Sequence, residues 1–427
     1  MNSNSIFEDS LKMVLLYNIG IFLLKSLYWI ASSFNPKARS FLQGRRQQQS
    51  KLRQTFPLPP NEKLVWFHCA SVGEFEQGRP VLEALKLWNP SLKILLTFFS
   101  PSGYELRKNY EHAEFMFYLP WDTKTNARWF AENVKPALVI FVKYEFWYHY
   151  ARALRDQNIP LISISSFFRP DQIFFKSYGS FFQKILRNFN HFFVQNKESI
   201  VLLQTIGISE VTLAGDTRFD RVYHIMQRSE NLPLAQQFKN GQTLMVIGSA
   251  WPEDVEVLLP FINENKGRIK FIIAPHEISE GFLTKIENSI EAKSIRYSIA
   301  TDKNIGEASV LLIDNVGMLS RLYRYGEFAF VGGGFNQGLH NILEAACFGI
   351  PIFFGNRAYQ KYQEAVDLVL RGGAFEVGDY MELKSKVENL NRQKENFALA
   401  CEVTRQYVLE NLGASDTIVA YCKKILG

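Results

Sequence analysis

The sequence predicts an α/β protein with two domains, each built on a parallel, doubly wound sheet. From Leu64 onward, short apolar runs alternate with segments of helical periodicity, as in successive βα units. This alternation pauses after Gly207, at the turn Gly215–Asp216, and then restarts, which indicates a second sheet. A chain of 427 residues is long enough for two domains of ordinary size and an appendage.

The composition is that of a globular protein and limits the classes of function. Hydrophobic residues make up 47% and charged residues 21% of the chain. The net charge of +6 gives a mild preference for anionic partners such as nucleic acid, lipid head groups or phosphorylated substrates. The cysteines lack C-x-x-C spacing, which argues against a zinc site or a disulfide framework and fits a reducing compartment. They are Cys69, Cys347, Cys401 and Cys422.

The N-terminal segment, residues 1–35, is expected to be a membrane-anchor helix. Its apolar run from Met13 to Ala31 is long enough to span a bilayer, and Asn18 and Lys25 fall on one narrow stripe of the helix. A basic segment without acidic residues follows between Lys37 and Arg53; it predicts a cytoplasmic flank and attraction to anionic lipid of the inner leaflet. A buried core helix remains the alternative. A nucleic-acid arm is disfavoured because the basic segment lies beside an apolar anchor, so nucleic acid is not expected as a partner.

Residues 36–207 are expected to form the first domain. Its predicted strands are Leu64–Phe67, Lys93–Phe98, Phe115–Tyr118, Leu138–Val142, Leu161–Ile164 and Phe192–Gln195, with helices over Gln77–Trp88 and Thr125–Asn133. The segment from Phe167 to Phe193 is both aromatic and basic. A helical hairpin in the core explains its aromatic residues, and an exposed surface facing lipid or acceptor also explains its cations; both interpretations stay open.

Residues 208–400 are expected to form the second domain, and residues 401–427 a C-terminal helix that packs back on the first. The predicted strands are Met245–Ile247, Ile269–Ile273, Val310–Ile313, Phe328–Val331 and Pro351–Phe354. Two α/β domains that face each other form a cleft, which is a usual place for a small-molecule site.

The stretch from Phe328 to Gly355 predicts a nucleotide or phosphate site. It combines a strand, the glycine turn Gly332–Gly334, a helix of about three turns and another strand. A turn without Cβ atoms lets a ligand approach the backbone, and the N–H groups of a helix start favour an anion. Asn341 and Glu344 would lie in the first turn of that helix. An ordinary tight turn is the alternative.

Two carboxylates follow predicted strands of the first domain. Glu74 lies after the first strand and Glu145 after the strand that ends at Val142. A glutamate at a helix start is commonly a favourable partner of the helix dipole, whereas its functional interpretation is a general base. The pair favours acid–base chemistry, and no Asp, His or Glu cluster has the spacing of metal ligands, so no metal is expected.

Polar residues also follow several strands of the second domain. Gly248 and Ser249 suit a phosphate, and His276 suits a base or a phosphate, although capping a helix is the commoner role of an isolated histidine. Arg218, near the domain junction, is a candidate for binding a leaving phosphate as a fixed cation.

Seven motifs, taken together, resemble the 3-deoxy-D-manno-octulosonic acid (Kdo) transferase family. They are HCASVGEFEQGRP, TFFSPSGYE, YEFW, GDTRFDRV, GSAW, APHE and VGGGFNQGLHNILEAACFGIPIFFG, and the resemblance runs from the anchor to about Val377. It implies a GT-B glycosyltransferase with an acceptor-binding N-terminal domain and a donor-binding C-terminal domain. The family transfers Kdo from CMP-Kdo to the lipid A precursor in lipopolysaccharide synthesis, at the cytoplasmic face of the bacterial inner membrane. It implies CMP-Kdo as donor substrate and no cofactor.

The resemblance also implies roles for single residues. The proton acceptor falls on Glu74, and groups that support the transition state fall on Glu145 and Arg218. The CMP contacts fall on Pro275, His276, Val316, Gly317, Met318, Asn341, Ile342, Leu343 and Glu344. The chain departs from the family at Arg218, where lysine is frequent, and at Val316–Met318, where Met-Gly-Glu is frequent and a carboxylate is lost. Another GT-B sugar-nucleotide enzyme, such as an epimerase, and a non-catalytic membrane-anchored nucleotide-binding protein are the alternatives.

Overall fold

The computed structural model describes residues 3–59, 62–228, 230–336 and 338–427, with side chains from residue 11 onward. The chain divides into two compact units. The first comprises Met1–Arg221 and Leu412–Gly427, and the second comprises Val222–Asn411.

The first unit holds a sheet of seven parallel strands in the order β3-β2-β1-β4-β5-β6-β7. The elements in chain order are α1 (Ser3–Ala31), α2 (Pro36–Thr55), β1 (Leu64–Cys69), α3 (Val72–Trp88), β2 (Lys93–Phe98), α4 (Pro101–Arg107), β3 (Phe115–Tyr118), α5 (Lys124–Asn133), β4 (Leu138–Val142), α6 (Tyr148–Asp156), β5 (Leu161–Ser166), α7 (Ser180–Leu186), β6 (His191–Val194), α8 (Lys197–Thr205), β7 (Val211–Leu213) and α9 (Thr217–Arg228). The strand order reverses between β1 and β4, so the loops after these two strands open a crevice at the carboxyl edge of the sheet.

The second unit holds another sheet of seven parallel strands, in the order β10-β11-β9-β8-β12-β13-β14. The further elements are α10 (Pro233–Lys239), β8 (Thr243–Ala250), α11 (Pro252–Glu264), β9 (Ile269–Pro275), α12 (Glu280–Ser289), β10 (Ser294–Arg296), β11 (Val310–Leu312), α13 (Leu319–Leu322), β12 (Phe328–Val331), α14 (Leu343–Ala346), β13 (Ile352–Gly355), α15 (Gln363–Arg371), β14 (Ala374–Val377), α16 (Tyr380–Arg392), α17 (Lys394–Glu410) and α18 (Ala414–Leu426). Here the switch point lies between β8 and β12.

The boundary between the units lies at residues 221/222, whereas the sequence predicted 207/208. The reason is that β7 pairs with β6 in the first sheet and that the start of α9 is bound there: Thr217 donates its hydroxyl to the carbonyl of Gln77 at 2.6 Å. The C-terminal segment also divides. Helix α17 belongs to the second unit, while α18 packs on α3 of the first, and Ile418 and Cys422 join its core.

Helix α1 contacts the rest of the first unit along one stripe and leaves most of its apolar side chains exposed. Tyr17 donates to Asp122 Oδ2 at 2.6 Å, Asn18 Oδ1 lies 2.7 Å from His149 Nε2, and the Tyr28 ring stacks on Phe41. Leu15, Leu16, Ile19, Phe22, Leu23 and Trp29 are among the exposed residues. In the described part of the chain, this helix is the one that is long and apolar enough to cross a membrane.

The aromatic and basic segment 167–193 combines features of both interpretations. Phe168, Phe174, Phe181 and Phe189 are buried in the core. It contains a short 3₁₀ turn, α7 and part of β6 instead of a helical hairpin. Its cations stay at the surface, and Arg169 is half exposed beside Asp171.

The prediction of a helix of about three turns after the glycine turn is wrong. Helix α14 comprises only Leu343–Ala346, and Asn341 precedes this helix instead of lying in its first turn. The chain leaves the helix through a turn at Cys347–Gly349, with Gly349 at φ +68°, and Pro351 then supplies no backbone N–H.

Candidate active site

The first cluster of candidate residues lies at the switch point of the first sheet. Glu74 is the third residue of α3, directly after β1, and its Oε2 accepts the Ser71 backbone N–H at 2.9 Å. The carboxylate therefore caps its own helix, which was the structural alternative, and it is only partly buried. Burial and, next, the charge of Glu145 raise the pKa of Glu74 above its ordinary value. A carboxylate with a raised pKa is a stronger base.

Glu145 follows β4 and is held by two N–H donors. His68 Nε2 and the Trp147 indole nitrogen lie 2.8 and 2.7 Å from Glu145 Oε2, and Glu145 is only 8% exposed. Since a carboxylate only accepts hydrogen bonds, His68 must carry its proton on Nε2. The strand ends on either side of the switch point thus bring two carboxylates to one edge: the half-buried Glu74, and the buried Glu145, whose Oε2 accepts two hydrogen bonds.

The other ring nitrogen of His68 contacts Thr97 deeper in the core. The Trp66 indole N–H donates to Thr97 Oγ1 at 2.7 Å, and His68 Nδ1 lies 2.9 Å from this hydroxyl and 3.1 Å from the Thr97 carbonyl oxygen. These contacts hold the imidazole ring in its orientation toward Glu145. His68, Thr97, Trp66 and Trp147 are functional candidates that sequence reasoning did not single out.

Arg218 lies in the first turn of α9, within the first unit. Its backbone N–H donates to Asp216 Oδ1 at 2.9 Å, and its Nε and Nη2 lie 2.8 and 2.7 Å from Asp216 Oδ2. Thr217 fixes this turn through Gln77 of α3 and lies 3.0 Å from the hydroxyl of Ser165 at the end of β5. The guanidinium is therefore held at the same edge as Glu74 and Glu145.

In the second unit, the candidate residues follow four neighbouring strands, β11, β9, β8 and β12, at one edge of the sheet. Ser249 lies inside β8, at a bulge with φ +52°, instead of in the loop after a strand. Pro275 ends β9, and His276 donates its backbone N–H to Ala250 at 3.0 Å.

The prediction that the glycine turn leaves its backbone open to a ligand is wrong. A Cβ on Gly332 would lie 2.2 Å from the Ser249 carbonyl oxygen, and one on Gly334 would lie 2.4 Å from that of Gly355. The Gly332 N–H donates to Gly248, and the Gly333 N–H donates to Asp254 Oδ2 at 2.9 Å. The protein's own backbone therefore requires these glycines, and two of their N–H groups are already bonded.

Asp254 is the residue that joins this turn to β8, and sequence reasoning missed it. It is fully buried at the start of α11, and its Oδ2 also accepts the Trp251 N–H at 2.8 Å. Burial raises its pKa to about 6.

The rings of Trp251, His276 and His340 form one stack beside these strand ends. The centroids of Trp251 and His276, and those of His276 and His340, are 4.4 Å apart. Trp251 Nε1 donates to His340 Nε2 at 2.9 Å, so that nitrogen carries no proton. Burial and then His276 lower the pKa of His340 to about 4. The stack gives His276, which is exposed, a fixed orientation suited to a planar ligand.

The remaining residues that were predicted to contact the nucleotide differ in the exposure of their side chains. Val316 is 92% exposed and Gly317 adopts φ +92°, while Met318, Ile342 and Leu343 are buried. Any contact from these three residues with a nucleotide therefore comes from the backbone. Asn341 Oδ1 accepts the Leu343 N–H, and its Nδ2 lies 3.4 Å from Glu344 Oε1. The structure thus brings Asn341 and Glu344 together.

Sequence comparisons identify close relatives over most of the chain. A family model for 3-deoxy-D-manno-octulosonic acid transferases (Kdo transferases) matches residues 43–221. The Kdo transferase of Aquifex aeolicus is 30% identical over 332 residues, covering 76% of this chain and 85% of the relative. That of Rickettsia bellii is 28% identical over 343 residues, covering 77% and 80%.

Solved structures share the fold at low identity. The UDP-GlcNAc 2-epimerase of Neisseria meningitidis superposes with a TM-score of 0.61 at 17% identity, over 85% of this chain and all of the other. Acinetobacter baumannii MurG gives a TM-score of 0.53 at 10% identity, over 85% and 99%.

Two doubly wound units with polar residues at both switch points, and these structural neighbours, define a protein of the GT-B fold. The sequence relatives define the protein further. The chain belongs to the Kdo transferase family and is a glycosyltransferase. The predicted family and fold class are confirmed.

Proposed function

We propose that the enzyme transfers Kdo from CMP-Kdo to the lipid A precursor, with inversion at the anomeric carbon and without a metal. The observation that carries the mechanism is the pair of carboxylates at the first switch point. Their environments differ: Glu145 is buried and accepts two N–H bonds, whereas Glu74 is only partly buried, with a raised pKa. Such a difference is the usual basis for dividing roles between two carboxylates.

Glu74 acts as the general base in this proposal. It takes the proton of the acceptor hydroxyl while that oxygen attacks the anomeric carbon of Kdo. The bond from this carbon to the CMP phosphate oxygen breaks, and its electron pair leaves with CMP. The fixed negative charge of Glu145 strengthens the base and favours the positive charge that develops on the sugar.

In this proposal, residues of the second unit and Arg218 bind the donor, CMP-Kdo. The exposed ring of His276 contacts the nucleotide, and Glu344 accepts hydrogen bonds from the ribose hydroxyls. Asp216 orients the guanidinium of Arg218. This guanidinium and the Ser249 hydroxyl stabilise the negative charge of the phosphate. The N–H groups of Gly332 and Gly333 take no part, because they are bonded within the protein. In the described part of the chain, no three His, Cys, Asp or Glu residues are grouped so that they could hold a metal ion.

We further propose that α1 anchors the enzyme at the cytoplasmic face of the bacterial inner membrane. Its exposed apolar face and the basic residues of α2 support attachment to an anionic leaflet. The contacts of Tyr17 and Asn18 with the first unit favour a helix that lies along the membrane surface.

The test is transfer itself. Purified full-length protein is incubated with CMP-Kdo and a lipid A precursor, and the products are read by mass spectrometry. Addition of Kdo to the lipid is expected, and CMP but not UDP should raise the melting temperature. Kdo transfer from CMP-Kdo to a different acceptor only, or thermal protection by UDP alone, would overturn the acceptor or the donor assignment.

A further inference from the structure

A cavity of about 330 Å³ lies between α1, α2 and the loop that follows β3. Three of its lining residues are cations: Lys25 on α1, and Arg45 and Arg46 on α2. Among the described residues that line it, none is Asp or Glu. Gln49 adds an amide, and Trp121 forms part of the apolar wall. The charges that face this cavity are therefore all positive.

Arg45 is the unusual member of the set because it is buried without a carboxylate. It is only 7% exposed, and its guanidinium carbon lies 3.7 Å from the centre of the Phe41 ring and 4.6 Å from that of Phe99. Nη2 donates to the Phe99 carbonyl at 2.5 Å, while Nε and Nη1 have no partner within the described part of the protein. Burial lowers the pKa of Arg45 to about 9.

A buried cation is costly unless it is paired. Aromatic faces offset part of this cost for Arg45. Lys25 and Arg46 are exposed, and no carboxylate pairs with either of them among the residues that the structure describes. Three uncompensated charges around a cavity with apolar walls produce a positive potential that favours an anion.

The surroundings of the cavity indicate that this anion is part of an amphiphile. Trp29 also lines it and is 71% exposed on the apolar face of α1. A groove of about 390 Å³ is lined by the stacked pair Tyr28–Phe41 and by Leu24, Leu27 and Phe99, and the rings of Phe41 and Phe99 also contact Arg45. Hydrocarbon surface thus lies next to the cations.

We propose that this cavity binds the phosphate group of a membrane lipid whose hydrocarbon chains lie along α1. Lys25 and Arg46 supply charged donors that can adjust to the phosphate, and the buried Arg45 supplies a fixed charge behind them. The inference rests on the proposed membrane attachment of α1. The phosphate belongs either to a phospholipid of the bilayer or to the glycolipid acceptor.

The test uses the exposed pair, because Arg45 also packs the core. The double variant Lys25→Gln/Arg46→Gln is compared with Lys12→Gln/Lys51→Gln, which removes the same charge from the same two helices outside the cavity. Flotation is measured with vesicles of phosphatidylcholine, with and without phosphatidic acid. Phosphatidic acid should strengthen the binding of the wild-type protein to the vesicles. This gain should be about 30-fold smaller for the cavity variant, whereas the control variant should keep most of it.

A second measurement identifies the source of the phosphate. Transfer is assayed in neutral detergent with the phosphorylated acceptor and with its dephosphorylated analogue. If the cavity variant keeps the wild-type KM for both acceptors but floats less with the vesicles, the phosphate belongs to a phospholipid of the bilayer. If its KM rises for the phosphorylated acceptor alone, the phosphate belongs to the acceptor.

Equal behaviour of the two double variants in both measurements would overturn the proposed site, because charge alone would then explain the binding. That outcome is distinct from a failure of the proposed function. If wild-type protein binds neither type of vesicle, the membrane attachment is wrong. If wild-type protein transfers no Kdo to the lipid A precursor, the acceptor is wrong.

Discussion

Replacement of Glu74 by glutamine separates the proposed base from its structural role. The side-chain oxygen of glutamine still accepts the Ser71 N–H, so the helix cap is kept. The amide cannot take a proton from the acceptor. A general base contributes roughly 10²–10⁴ in rate, equivalent to about 3–5 kcal/mol of barrier. We expect kcat to fall by that factor, with CMP affinity unchanged.

The same substitution has a predictable effect on stability. The pKa of Glu74 is raised in the folded protein, so its contribution to stability is present at low pH and is lost as pH rises through the folded pKa. Near pH 8 the glutamine variant should therefore be at least as stable as wild type. Glu83→Gln, on the same helix and paired with Arg79 at 2.6 Å, is the matched control and should keep its activity.

The assay is single-turnover transfer at saturating CMP-Kdo, with thermal melting and calorimetric CMP binding on the same samples. Turnover by Glu74→Gln close to that of wild type would refute its role as base. Loss of activity together with a large drop in melting temperature would show that the residue serves the fold instead.

Three further substitutions test neighbouring parts of the argument. Glu145→Gln should move the acid limb of the kcat/KM profile to lower pH, because the Glu145 charge is a cause of the raised pKa of Glu74; an unmoved limb would contradict this coupling. Gly332→Ala should lower the free energy of unfolding in urea by about 1–3 kcal/mol or more, since its Cβ would lie 2.2 Å from a carbonyl oxygen. Gly281→Ala, with no atom within 4 Å of its Cβ, is the control, and equal effects would refute the packing argument. Glu344→Ala should weaken CMP binding in calorimetry without loss of fold, and an unchanged affinity would remove it from the donor site.

Much of the architecture could be predicted because most strands of both sheets are continuous apolar runs between segments of helical periodicity. Leu138–Val142 and Phe328–Val331, for example, were predicted with their observed bounds. The sequence missed β7 (Val211–Leu213), β10 (Ser294–Arg296) and β14 (Ala374–Val377). These are short strands with polar members, and all three lie at an edge of their sheet. Pairing with a neighbour defines them more than their own residues do.

The sequence could predict only those site residues that directly follow a strand. Glu74 and Glu145 lie 71 positions apart, yet both follow strands at a switch point, so topology alone could join them. No such rule joins Trp251 to His340, or Trp66 to Thr97. Their contacts depend on side-chain packing in the finished sheet, which leaves no periodic signal in the sequence.

The glycine turn shows how a correct pattern led to the wrong physical reason. The missing Cβ atoms at Gly332–Gly334 suggested room for a ligand. The structure uses that room for the backbones of Ser249 and Gly355. A sequence does not distinguish these two uses, because both require the same residue type.

The place of α18 has a consequence for synthesis on the ribosome. This last helix supplies Ile418, Cys422 and Leu426 to the core of the first unit, and the N–H groups of Gly413 and Ser415 just before and within it bind Asp220. The second unit, Val222–Asn411, is contiguous and can complete its own core as soon as it emerges. The first unit begins earlier but must keep a hydrophobic face of α3 uncovered until α18 has emerged from the ribosome. We therefore expect the unit that is made first to be completed after the second, and a truncation just before α18 to impair the folding of the first unit while sparing the second.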